Sequence, residues 1–154
     1  EGRIGALSRA HTLLAQSRWT GADLHKLADE ELAPYRTGDA GKIVVSGPDL
    51  SLEPRAAQTL ALALHELSTN AAKYGALSHS KGRLQLSWRL EGDKQGRRLR
   101  LRWEERGGPA VEPPTEKGFG MRLIERACTY ELEGEMELDY APAGLRCEVA
   151  VPLA

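Results

Sequence analysis

The chain has 154 residues, enough for one domain with a single core, and 21 basic against 22 acidic side chains leave a net charge of −1. That balance removes the electrostatic case for nucleic acid or an anionic membrane as partner. The two cysteines, Cys128 and Cys147, form no CxxC pair and have no histidine cluster nearby, so they read as buried reduced thiols and not as a zinc site or a disulfide framework.

Ile4, Leu7, His11 and Leu14 fall on a three-four seam, which predicts a first helix over about residues 1–17 that packs on another helix. The chain begins without methionine on this helix, so a fragment of a longer protein is expected. With no apolar run of membrane-spanning length and no signal-peptide pattern, the expected location is cytoplasmic. Thr20-Gly21-Ala22-Asp23 resembles a capping box and opens a second helix through Leu24, Leu27 and Leu32, which stops before Pro34. A turn at Gly38 to Gly41 follows, then short strand candidates at Lys42 to Ser46 and Leu50 to Leu52.

Glu53-Pro54 opens a long helix, with proline in its first turn. Ala57, Leu60, Leu64, Leu67, Ala71 and Tyr74 recur at three and four and make one apolar face. Glu66, Asn70 and Lys73 lie on a neighbouring face, over about 10 Å of helix. A carboxylate, an amide oxygen and an ammonium in one row suit a metal-bound polyphosphate. The same row also fits a solvated polar stripe, and this helix alone does not choose between the two.

Four segments of period-two alternation come next. Leu84, Leu86, Trp88 and Leu90 face one way, as do Leu99, Leu101 and Trp103 across a turn from Glu91 to Gly96. Met136, Leu138 and Tyr140 alternate with acids, and after Pro142-Ala143-Gly144 the positions Leu145, Cys147, Val149 and Val151 alternate again. Two antiparallel hairpins with one buried face put the helices on one side of the sheet. The expected class is α+β, a two-layer α/β sandwich. Arg98, Arg100 and Arg102 fall on the wet face as cross-strand partners of acids. His25 and His79 read as surface residues.

Between the hairpins lie Glu104-Glu105-Arg106-Gly107-Gly108-Pro109, a short loop from Val111 to Lys117 that contains Pro113-Pro114, and Gly118-Phe119-Gly120-Met121 opening a helix with Leu123, Ile124 and Ala127. Backbone N–H groups at a glycine-rich helix start can hold phosphate oxygens, a weak signal taken alone.

Order and spacing strengthen it. A His-Glu-x-x-x-Asn-Ala-x-Lys-Tyr helix, a strand ending in Trp-x-Glu-x-Gly-Gly-Pro and a Gly-x-Gly helix start resemble the ATP-binding domain of the HWE histidine kinases, a branch of the GHKL (Bergerat) ATPase superfamily. His65, Trp103 and Glu105 match the three letters that name the branch, and the likeness runs from about Glu53 to Leu153. It implies a mixed, mostly antiparallel sheet of the Bergerat type and the cofactors ATP and Mg2+. Asn70 is then the magnesium ligand, with Glu66 holding a metal-bound water one turn earlier and His65 beside that row; a structural role for His65 stays open.

Lys73 is implied to pair with phosphate and Tyr74 to pack near the base or ribose. Glu105, where most histidine kinases have aspartate, is implied to accept a hydrogen bond from the adenine amino group. Trp103 reads either as core or as a base contact. Gly107 and Gly108 let the backbone approach the base, while Gly118, Phe119, Gly120, Met121 and Arg122 belong to a loop and helix start that close over phosphates.

The resemblance implies residues 1–19 as the end of a dimerisation or linker helix and 20–154 as the catalytic domain. The acceptor histidine is expected upstream, because His11 lacks the sequence context of the branch's acceptor. Implied partners are an upstream phosphoacceptor helical domain, a response regulator receiver domain and a second copy of the intact protein, with no nucleic acid and no membrane contact from this segment. The implied activity is a histidine protein kinase; the alternatives are a stand-alone nucleotide-binding switch of the anti-sigma kinase type and a hydrolytic ATPase.

Overall fold

A computed structural model describes residues 22–36, 42–93, 96–109 and 119–153. The expected first helix with His11, the turn at Gly38 to Gly41, the loop from Val111 to Lys117 and Gly118 lie outside the described residues.

Strand β1 (Ala22–Asp23) leads into helix α1 (Leu24–Leu32), and a 3-10 turn over Ala33–Tyr35 holds Pro34. The cap of α1 is Asp23, whose carboxylate accepts from the His25 backbone N–H at 2.8 Å. The helix therefore opens at Asp23, later than the capping box that Thr20 suggests. Ala22–Asp23 instead pairs antiparallel with strand β3 (Ser51–Leu52), which ties the entry of α1 to the start of the long helix.

That helix, α2, runs Pro54–Tyr74. Pro54 supplies no N–H, and the first turn has no intrahelical use for one. Ala57, Leu60, Leu64, Leu67 and Ala71 are buried as their spacing requires, but Tyr74 is 74 % exposed. Its position in the last turn, beyond the end of the apolar layer, removes it from the core face.

One sheet carries the remaining strands: β2 (Ile43–Ser46), β4 (Arg83–Asp93), β5 (Gly96–Arg106), β6 (Glu135–Ala141) and β7 (Gly144–Leu153), in the order β2-β4-β5-β7-β6. β2 is parallel to β4 and every other pairing is antiparallel. The β4–β5 hairpin keeps its register from Arg83↔Arg106 to Asp93↔Gly96, so Glu91, Gly92 and Asp93, expected in the turn, belong to the strand. On the inner face Leu84, Leu86, Trp88, Leu99, Leu101, Trp103, Cys147, Val149 and Val151 pack against α1, α2 and helix α3 (Phe119–Arg126) as one core.

The outer face is a lattice of ion pairs. Arg100 donates from Nε to Glu91 at 3.0 Å and from Nη1 to Glu148 at 2.8 Å, and Arg102 lies near Glu104 and Glu148. Arg98 departs from the expected pairing, since its Nε is closed off from water with no hydrogen-bond partner among the described residues.

His25 is not a surface residue. Its Nε2 is bonded to the Gly47 carbonyl at 2.8 Å, and its ring meets Trp88 edge-on with centroids 4.5 Å apart, while the Trp88 indole donates to the Pro48 carbonyl. Together they fasten the loop after β2 to the core. His79 is exposed, as expected. Both cysteines are free and buried. In α3, Ile124 and Met121 face the core, whereas Leu123, expected with them, is exposed. The helix continues as a single π turn over Ala127–Glu131.

Candidate nucleotide site

On β5 the alternation that buries Leu99, Leu101 and Trp103 carries on to Glu105, so a carboxylate is delivered to the inner face. Glu105 is only 3 % exposed. Two donors meet it: the Ala76 backbone N–H reaches Oε1 at 2.9 Å and the Trp103 indole Nε1 reaches Oε2 at 2.8 Å. Burial raises its pKa above the usual 4.5, and these two neutral donors hold the rise down. A carboxylate has about four lone-pair sites, so one on each oxygen remains for a further donor.

The arrangement depends on the end of α2. Gly75 closes that helix by donating its N–H to the Ala71 carbonyl, and a short 3-10 turn, Ala76–Ser78, follows. A Cβ on Gly75 would fall on Glu105 Oε1. The extra methylene that distinguishes glutamate from aspartate is thus accommodated where Gly75 has no side chain.

On the far side of Ala76 the chain leaves β5 through Gly107 and Gly108. Gly107 takes φ +73°, a left-handed conformation that glycine adopts without strain. A Cβ on Gly108 would stand 2.8 Å from the Ala76 Cα. The C-terminal end of α2, the acidic end of β5 and the glycine turn are therefore packed into one joint.

Glu66 and Asn70 are half-buried on α2, and Lys73 and Tyr74 are exposed at its end. His65 points elsewhere: its Nδ1 lies 3.5 Å from Glu31 Oε2 of α1, with both side chains nearly closed to water. Trp103 is fully buried, which excludes it as a direct face for a base; its polar contact is with Glu105. Met121 has its side chain in the core, so a ligand at the start of α3 would meet its backbone, and Arg122 is exposed beside it. Phe119 and Gly120 open α3, the helix that packs beside α2.

Among the described residues no three acidic, histidine or cysteine side chains cluster as a metal cage. Glu66 and Asn70 alone suit magnesium, which keeps waters and takes phosphate oxygens alongside one or two protein ligands. Gly75 and Ala76 are the residues that sequence reasoning missed. No sequence signal marked them, since a glycine at a helix end is ordinary; only the structure shows that its φ of −116° does not require glycine and that the space beside Glu105 does.

The fold is that of histidine kinase ATP-binding domains. It matches the histidine kinase domain of the blue-light-activated kinase of Erythrobacter litoralis with a TM-score of 0.70 at 19 % identity, covering 99 % of this chain and 76 % of that one. It matches the kinase domain of the E. coli osmosensor EnvZ with a TM-score of 0.57 at 20 % identity, covering 88 % and 89 %. ThkA, solved in complex with the response regulator protein TrrA, matches with a TM-score of 0.62 at 16 % identity, over 98 % of this chain and 49 % of that one.

In sequence, the chain is 42 % identical over 151 residues to a blue-light-activated histidine kinase of Brucella anthropi and 38 % identical over the same length to one of Brucella suis. Each match takes in 98 % of this chain and 31 % of the relative, so the chain spans about a third of the curated relatives' length. The sequence model of the HWE histidine kinase family matches residues 1–49. The chain is thus similar to one segment of these histidine kinases over nearly its whole length, and its first 49 residues match the HWE family model.

Proposed function

We propose that this domain binds Mg-ATP and presents the γ-phosphate for transfer to a histidine of an upstream helical domain, from which it passes to a response regulator. The observation that carries the reading is Glu105, a buried carboxylate held at the joint between α2 and the glycine turn with lone pairs left for an adenine amino group. Asn70 and Glu66 would hold magnesium, which when bound neutralises charge on the phosphate oxygens. Lys73 would pair with phosphate, Tyr74 would cover the base or ribose, and the backbone at Gly118 to Arg122 would close on the phosphates. Such catalysis consists of positioning and charge neutralisation, with no covalent step assigned to the domain.

His65 would contribute from behind, holding α2 against α1. Residues 1–19 would lead to the upstream helical domain, with 20–154 as the catalytic domain. The complex of ThkA with TrrA supports a receiver domain as partner, and a homodimer is proposed for the intact protein. No described helix is long and apolar enough to cross a membrane; a cytoplasmic place is proposed, where ATP and a receiver domain are available.

The test is titration calorimetry with Mg-ATP and Mg-GTP. A hydrogen bond to a charged group is worth about 1.5–3 kcal/mol, so Glu105→Ala should weaken ATP about 10- to 100-fold and GTP far less. Equal weakening of both would remove Glu105 from base recognition.

A further inference from the structure

We infer that Trp103 and Gly75 are positioning residues for base selectivity: Trp103 orients the Glu105 carboxylate through its indole N–H, and Gly75 leaves the space into which that carboxylate reaches. The inference rests on the reading of Glu105 as the adenine acceptor.

Trp103 and Glu105 stand two apart on β5 and so share the inner face, and the indole Nε1 lies 2.8 Å from Oε2. The other oxygen is taken 2.9 Å away by the Ala76 N–H, which belongs to a different segment. Two donors on two oxygens fix both the position and the plane of the carboxylate. A long side chain that is otherwise free to rotate becomes a preset acceptor, with its remaining lone pairs in fixed directions.

Neither partner is explained without Glu105. A fully buried indole brings an N–H that must find an acceptor, and a Phe or Leu at the same place would fill the core without that demand. Gly75 has φ −116° and ψ −150°, extended backbone that does not call for glycine. What calls for glycine is the Glu105 oxygen lying where its Cβ would be.

The experiment compares the affinities of wild type, Trp103→Phe, Gly75→Ala, Glu105→Ala and the double variant Trp103→Phe/Glu105→Ala for Mg-ATP and Mg-GTP, with thermal melts as the check on folding. Trp103→Phe and Gly75→Ala should each weaken ATP by about tenfold while GTP moves less than about twofold. In the double variant the Trp103 change should add nothing to the loss already caused by Glu105→Ala.

If both nucleotides weaken together in the Trp103 and Gly75 variants while Glu105→Ala is ATP-selective, the two residues only pack and the inference falls, with the adenine reading intact. If Glu105→Ala is itself unselective, the adenine reading fails first and the inference with it. Should Trp103→Phe not fold, Gly75→Ala decides alone, since it acts on the same carboxylate from the other side without opening the core.

Discussion

His65 and Glu31 face each other between α2 and α1, Nδ1 3.5 Å from Oε2, on the side of α2 that the Glu66 and Asn70 row does not use. A buried polar pair of this kind registers one helix on the other. His65 directly precedes Glu66 in the chain, so consecutive side chains leave α2 in different directions, one buried toward α1 and one half-buried on the Asn70 row.

His65→Ala removes the imidazole that lies between α2 and the buried Glu31 carboxylate, and breaking a buried polar contact of this kind costs about 0.5–3 kcal/mol. Urea unfolding should show a loss in that range. Magnesium-dependent ATP affinity, measured where the variant is fully folded, should change by less than about threefold, the residue being a support and not a phosphate contact. A stable variant that no longer binds ATP would move His65 into the site itself.

Asn70→Ala should reduce ATP affinity more with magnesium than with EDTA, because the neutral amide oxygen is proposed to serve the metal and not the nucleotide directly. Calorimetry under both conditions reads the difference. Parallel losses in the two would show that Asn70 supports the helix without touching the ion.

The inner face of the sheet was legible from period-two alternation, because the buried inward positions of β4, β5 and β7 are apolar, Glu105 excepted, and their neighbours are polar or small. The long helix was legible for the same reason with a different period, up to Ala71. Tyr74 was misplaced because periodicity carries no information about where the apolar layer ends in space. His25 was misjudged because its partners, Gly47 and Trp88, come from β2's exit and from β4, and no local pattern announces such contacts.

The site was half legible. The motif residues Glu66, Asn70, Glu105, Gly107 and Gly108 stood out by order and spacing. What spacing could not disclose is that Glu105 is gripped by Trp103 and Ala76, since the Ala76 bond joins residues 29 apart in the chain.

Selectivity for adenine should fade in acid. The form of Glu105 proposed to accept from an adenine amino group is the ionised one. Burial holds its pKa above the usual 4.5, and its direct partners, Ala76 N–H and the Trp103 indole, are uncharged. As pH falls through that raised pKa the carboxyl takes up a proton and one acceptor becomes a donor, so ATP affinity should fall. GTP carries the same triphosphate and therefore corrects for phosphate protonation. The ratio of ATP to GTP affinity should decline with a midpoint above pH 4.5; a ratio flat down to that pH would mean that Glu105 does not read the base.

The two thiols should resist modification in the native state and differ in how they become accessible. Burial raises the Cys128 pKa to about 11 and the Cys147 pKa to about 12, so at pH 8 about one Cys128 in a thousand is the reactive thiolate. Reaction with an alkylating reagent must then wait for the fold to open. Cys147 sits in β7, paired on one side with β5 and on the other with β6, and its exposure requires the sheet to come apart. Cys128 lies in the π turn that follows α3, outside every strand pairing, so its exposure does not require the strands to separate. With rising urea, mass spectrometry should find Cys128 labelled at lower concentration than Cys147, and Cys147 labelled only in step with global unfolding. Simultaneous labelling of both would show that α3 and its π turn open with the sheet as one cooperative unit, while rapid labelling without urea would contradict the burial of the thiols.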